Sequence, residues 1–167
     1  LGMNPRPDLP GILVHAIHRL HRNAVQTKLS AMGLEGVGSP MILMLLKRRG
    51  AEGGGAYQRE LADALRISPA AIAMSLQSLE RAGYVARRGD PGDQRRKRVV
   101  ITPRGAAAVE TCRDALAAAD AQMLAGFTAQ ERETLTALHL RILDNLTPGD
   151  SPAGDPFERL GCNCSRP

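Results

Sequence analysis

The stretch Gln58–Gly105, QRELADALRISPAAIAMSLQSLERAGYVARRGDPGDQRRKRVVITPRG, holds two short helical patterns, two strand-like runs around a polar turn, and the start of another helix. From Gln58 to Leu65, the residues Leu61, Ala62 and Leu65 share one face, as in a packed amphipathic helix. Arg66 and Ile67 make a tight turn. Ser68 then serves as an N-cap, and Pro69 takes the first helical position, where a missing N–H costs nothing. Ile72, Leu76 and Leu79 recur at helical spacing and point inward, and Gly83 stops the helix. Two helices joined by so short a turn have helix-turn-helix spacing.

Two strands follow. Tyr84 to Arg88 and Lys97 to Ile101 read as a hairpin, and Gly89-Asp90-Pro91-Gly92-Asp93 between them is turn chemistry, too polar to pack. Arg87, Arg88, Arg95, Arg96, Lys97, Arg98 and Arg104 fall in or beside this hairpin, against only two acids, Asp90 and Asp93. So dense a single-sign cluster repels itself unless a polyanion neutralises it. Phosphate contacts from about five of these groups correspond to a log–log salt slope near −4 to −5. The expected partner is double-stranded DNA.

These elements resemble the winged helix-turn-helix of the MarR family of bacterial transcriptional regulators. The resemblance rests on Leu61-Ala62, Ser68-Pro69, Leu79-Glu80, Gly83-Tyr84-Val85, the wing pair Asp93-x-Arg95, and the closing Ile101-Thr102-x-x-Gly105. It implies that Arg95 enters the minor groove while Asp93 orients it, which suits a planar guanidinium in a narrow, strongly negative groove. It also implies a homodimer held by the first helix and the last two, and a pseudo-palindromic operator. A small-molecule effector would bind between the dimer helices and the reader domain. Repressor over activator rests on the family alone.

The second helix of the pair lacks the side chains of a strong guanine code. Its outward positions are expected to be Ala70, Ala71, Ala73, Met74, Gln77 and Ser78, with no Arg, Lys or Asn among them. Gln77 can pair with adenine, and the alanines and Met74 can meet thymine methyls, so the expected code leans to A·T. The expected DNA-contacting set is Ser68, Ala70, Ala71, Met74, Gln77, Ser78, Arg81, Asp93, Arg95, Arg96 and Lys97. For Arg81, a phosphate contact and a solvated ion pair are both open.

The remaining chain reads as helical. Residues 1–8 are expected to be a flexible lead, 9–33 the first dimerisation helix, 39–105 the DNA-binding domain, 103–146 the C-terminal dimerisation helices and 147–167 a flexible tail. The fold class is mainly α with a small β-hairpin wing. Gly11 to Met32 forms one amphipathic helix with Ile12, Leu13, Ala16, Ile17, Leu20 and Ala24 inward. Ser39-Pro40 caps a second, running to about Lys47, and Gly50 to Gly55 forms a flexible break. Thr102-Pro103 opens a long helix, reaching about Phe127, with Val109, Cys112, Leu116, Ala119 and Met123 along one seam. Thr128 to Glu131 is a capping box for a last helix striped by Leu135, Leu138, Ile142 and Leu146. An intramolecular core and a dimer interface both fit that stripe.

The net charge of +5 over 167 residues permits a nucleic-acid partner. No apolar run reaches membrane-spanning length and no secretory signal is legible, so the expected location is the cytoplasm. No phosphate-binding glycine loop, nucleophile elbow or zinc-protease motif occurs, so an enzyme is not expected, and no cofactor is implied. His15, His18 and His21 recur every third residue, making His15 and His18 candidate metal ligands beside the plainer reading of surface histidines. Cys162 and Cys164 are candidate redox thiols, whereas Cys112 lies on an apolar face. Two alternatives therefore stand: a metal- or thiol-responsive regulator of the same fold, and a winged-helix protein-interaction module without DNA binding.

Overall fold

The computed structural model describes residues 9–51, 54–90, 92–93 and 95–146. Its elements run α1 (Pro10–Ala31), α2 (Pro40–Ala51), α3 (Gln58–Leu65), α4 (Pro69–Arg81), β1 (Val85–Gly89), β2 (Lys97–Ile101), α5 (Pro103–Met123) and α6 (Ala129–Leu146). It is mainly helical with a two-stranded antiparallel hairpin, as expected. Cys162 and Cys164 lie outside the described residues.

The helix ends follow local chemistry. The Ser68 hydroxyl accepts from the Ala71 amide at 3.2 Å, and Pro69 opens α4. Arg66 takes the left-handed conformation, φ 50°, and lets the chain turn between α3 and α4. Thr128 and Glu131 form the capping box of α6, with the Thr128 amide donating to the Glu131 carboxylate at 2.8 Å and the Glu131 amide donating to the Thr128 hydroxyl at 3.3 Å.

One core unites α2, α3, α4, β2 and α5. Ile42, Leu43 and Leu46 of α2 meet Leu61, Ile72, Leu76, Leu79, Val99, Val109 and Cys112, all fully buried or nearly so. The inward positions expected for α4 are buried, and of those expected for α3 Leu61 and Ala62 are buried and Leu65 half-buried. Tyr84 precedes β1 rather than joining it, because its amide is taken by the Leu79 carbonyl at the end of α4.

The expected break after α2 is shorter than the glycines suggest. Gly50 and Ala51 continue the helix, and Ala56 pairs with Val99 in an antiparallel bridge, its amide donating to the Val99 carbonyl at 2.9 Å. Gly55 makes that approach possible, since a Cβ there would lie 2.4 Å from the Val99 oxygen. The wing root therefore has a third extended segment along its edge.

The inward face expected for α1 is corrected. Ile12, Leu13, Ile17 and Leu20 are at least half exposed, and the buried residues are Val25 and Leu29, near the helix's C-terminal end. The helical spacing is right, but among the described residues α1 packs chiefly on α5, and its N-terminal apolar side chains stay exposed. Helix α6 buries no residue, and Leu138, Ile142 and Leu146 are exposed. Leu135, the first residue of the α6 stripe, is half-buried, so among the described residues the stripe adds no side chain to the buried core. In α5, Val109, Cys112 and Ala119 are buried and Leu116 half-buried, while Met123 at the end is exposed. Among the described residues no helix is long and apolar enough to cross a membrane.

Candidate nucleic-acid interface

Helix α4 presents an open outer face. Ala70, Ala71, Met74 and Gln77 are exposed there, and Met74 is 72% exposed although apolar. Ala73, expected to face outward, is half-buried, as is Ser75. Ser68 is exposed, with its hydroxyl already capping the helix. Ser78 also departs from the expected outward set: it is half-buried, and its hydroxyl donates to the Gly36 carbonyl at 3.0 Å. That bond fixes the loop before α2 against α4. A Cβ on Gly36, whose φ is +78°, would lie 3.0 Å from the Ala82 methyl, so the loop and helix nearly touch. Arg81 is exposed in the last turn and makes no ion pair with a described residue.

The wing is registered Val85↔Ile101, Ala86↔Val100, Arg87↔Val99, Arg88↔Arg98 and Gly89↔Lys97. Its charges are more organised than the sequence implies. Arg87 pairs with Glu80 of α4 at 3.2 Å, and Arg98 pairs with Asp90. Arg96 stacks over the Tyr57 ring with its guanidinium carbon 3.9 Å from the centroid, and Arg104 covers Tyr84 at 4.8 Å. Among the described residues, the wing cations without a carboxylate partner are Arg88, Arg95, Arg96, Lys97 and Arg104, all exposed. Self-repulsion in the cluster is thus partly relieved by Glu80 and Asp90, and the remaining five charges face solvent.

Asp90 corrects the reading of the turn as too polar to pack. It is only 7% exposed, the single buried charged residue among those described. One carboxylate oxygen receives Tyr57 Oη and Arg98 Nε, and the other receives the amides of Gly92 at 2.8 Å and Asp93 at 3.2 Å. The Tyr57 hydroxyl, then the Gly92 amide and Arg98, hold its carboxyl well below the usual aspartate range. Burial is tolerated because the acceptor capacity is filled. Asp93 continues the arrangement, its carboxylate receiving the Arg95 amide at 3.0 Å and its carbonyl the Arg96 amide at 2.9 Å. So Asp93 holds the backbone at Arg95 rather than its guanidinium.

Thr102 and Gly105 join the wing to α5. The Thr102 hydroxyl donates toward the Gly83 and Tyr84 carbonyls at 2.8 and 3.1 Å and accepts from the Gly105 amide at 3.0 Å. A Cβ on Gly105 would lie 2.1 Å from the Tyr84 oxygen, which explains why a glycine stands there.

Tyr57, Glu80 and Asp90 are the site residues that sequence reasoning missed. Asp90 carried a signal, since an aspartate opening a Pro-Gly turn often takes the amides two and three residues on. Tyr57 carried none, because its partner lies 33 positions away. His15 and His18 are exposed and His21 meets Asp120 at 2.8 Å; among the described residues no three His, Cys, Asp or Glu side chains gather as a metal site. Cys112 is fully buried, and burial pushes its thiol up to about 11. An apolar cleft of about 240 Å³ lies between α1 and α5, lined by Ile17, Leu20, His21, Ala24, Ala119, Gln122 and Met123.

Comparison with known proteins agrees with this geometry. A family model described as MarR family matches residues 33–96. The HTH-type transcriptional repressor Rv2887 of Mycobacterium tuberculosis is 34% identical over 128 residues, which is 75% of this chain and 88% of that protein. Among solved structures, the MepR–DNA complex of S. aureus superposes with a TM-score of 0.68 at 22% identity, covering 83% of this chain and 99% of that one. CouR from Rhodococcus jostii RHA1, bound to p-coumaroyl-CoA, gives 0.63 at 24% identity, covering 86% and 94%. At such identities the two structures speak for the fold. The chain belongs to the MarR family of winged helix-turn-helix transcriptional regulators. It is a DNA-binding regulator and not an enzyme.

Proposed function

We propose that this protein is a cytoplasmic, homodimeric repressor that binds a pseudo-palindromic operator and is released by a small-molecule effector. The observation carrying the DNA reading is the wing: among the described residues, five exposed cations without carboxylate partners stand beside the exposed outer face of α4, an element a major groove admits. Ser68, Ala70, Ala71, Met74 and Gln77 face the major groove, and Arg95 enters the minor groove from a backbone held by Asp93. Arg81, Arg96 and Lys97 serve phosphates, which position the protein without reading sequence. Ser78 contributes through the loop it anchors rather than through a base.

The dimer reading rests on apolar residues that the described part of the chain leaves exposed. Leu13, Ile17 and Leu20 on α1 and Leu138, Ile142 and Leu146 on α6 are exposed, and apolar residues grouped in this way mark an association surface. The effector reading draws on the α1–α5 cleft and on the ligand carried by CouR. A ligand there acts only if it binds the DNA-competent and incompetent arrangements unequally. Protection of DNA upstream of the protein's own gene tests the reading. Two protected patches about one helical turn apart are expected; a single patch, or uniform cleavage, counts against a two-fold complex.

A further inference from the structure

We propose that Tyr57 and Asp90 are positioning residues for DNA binding, which fix the wing so that Arg95 is presented to the groove and tie the wing's angle to helix α3. The inference rests on the DNA-binding reading above and deepens it. A continuous set of contacts runs from the start of α3 to Arg95. The Tyr57 amide donates to the Glu60 carboxylate at 2.8 Å, which anchors the residue to the first turn of α3. The Tyr57 hydroxyl and Arg98 Nε then meet one oxygen of Asp90. The other oxygen collects the Gly92 and Asp93 amides, and Asp93 collects the Arg95 amide. The Asp90 amide closes the loop on the Arg96 carbonyl at 3.0 Å.

Two features separate this from ordinary turn structure. A tyrosine occupies the N-cap position of α3, where a small polar side chain is preferred, and its side chain does not cap the helix. Its ring instead lies beneath Arg96 and near Arg98, whose guanidinium carbons stand 3.9 and 5.1 Å from its centroid. The residue is spent on the wing. Second, the segment carrying it is itself stitched to the wing by the Ala56–Val99 bridge, with Val99 donating to the Ala56 carbonyl at 2.8 Å. Wing and helix-turn-helix therefore move as one body, and a rigid support is what a groove-inserted side chain needs to keep its geometry.

The test uses the full-length protein, a duplex from upstream of its own gene, and three variants: Tyr57→Phe, Arg95→Ala and the double variant. Tyr57→Phe keeps the ring under Arg96 and removes only the hydroxyl on Asp90. It is expected to weaken binding about three- to tenfold in the wild-type background and less than about twofold when Arg95 is already alanine. In the free protein, the Gly92 and Asp93 amides are expected to exchange faster in Tyr57→Phe. Full affinity in Tyr57→Phe, or an equal loss in both backgrounds, overturns the inference. A wild-type protein that binds DNA and is weakened by Arg95→Ala but indifferent to Tyr57→Phe overturns this inference alone. A wild-type protein that binds no DNA overturns the functional reading and this one together.

Discussion

Changing Gly105 to alanine is expected to destabilise the protein, although the same change elsewhere in a helix usually helps. Gly105 sits in the first turn of α5 and is buried, with its amide on the Thr102 hydroxyl. Alanine favours a helix interior by up to about 1 kcal/mol over glycine. Here the new Cβ would lie 2.1 Å from the Tyr84 oxygen and 2.9 Å from Ile101 Cγ1. A carbon and an oxygen need about 3.3 Å, so α5 and the start of β1 must separate by roughly 1 Å. Two hydrogen-bond donors cross that junction: the Thr102 amide to the Tyr84 carbonyl, and the Thr102 hydroxyl, whose single proton is shared between the Gly83 and Tyr84 carbonyls. At about 1 kcal/mol each they outweigh the helical gain, leaving a net loss of about 1 kcal/mol. Urea unfolding at a fixed protomer concentration should show the midpoint falling by about 0.5 M. Gly11→Ala is the control, since a Cβ there meets nothing within 4 Å, and it should be neutral or stabilising by up to about 1 kcal/mol. If Gly105→Ala matched Gly11→Ala in stability, the steric account of the Thr-x-x-Gly junction would be wrong.

Other outcomes follow from the same geometry. Arg95→Ala should weaken DNA binding and reduce the magnitude of the log–log salt slope by about one unit per bound protomer, measured by anisotropy across a salt series; an unchanged slope removes Arg95 from the groove. If the protein is the proposed dimer, Leu13→Glu with Ile142→Glu should convert it to a monomer in sedimentation velocity, and an unshifted dimer would place the interface elsewhere. In a Cys162→Ser, Cys164→Ser protein the one remaining thiol, Cys112, should react with a thiol reagent only as the fold opens, because it is fully buried. Its folded pKa lies above the ordinary value, so the stability linked to it is complete below 9.0 and is lost as the pH rises toward about 11. A pH-independent unfolding midpoint across that interval would contradict its burial as a neutral thiol.

Much of the reader domain was legible because its signals are local. Ser68-Pro69 opening α4, the inward Ile72, Leu76 and Leu79, the Thr128 capping box and the bounds of β2 follow from neighbouring residues, and the structure places each as expected. The exposed face of α1 was misread for a different reason. Spacing identifies a face but not what covers it, and Ile12, Leu13, Ile17 and Leu20 remain at least half exposed among the described residues. The wing's charge was read correctly in sign and wrongly in detail. Glu80 and Asp90 take up Arg87 and Arg98 through contacts that only the folded hairpin creates. Asp90 is the clearest case, a turn aspartate in the sequence and a buried four-contact hub in the fold.

The measurement that bears most directly on the account is fluorescence anisotropy of the wild-type protein with a duplex from upstream of its own gene and with a scrambled duplex, each across a salt series. The account expects selective binding to the first, with a log–log slope of about −4 to −5 for the five wing cations of each protomer that have no carboxylate partner among the described residues. Weak binding of equal strength to both duplexes, with a shallow slope, would contradict it and leave the winged helix as a surface for protein partners.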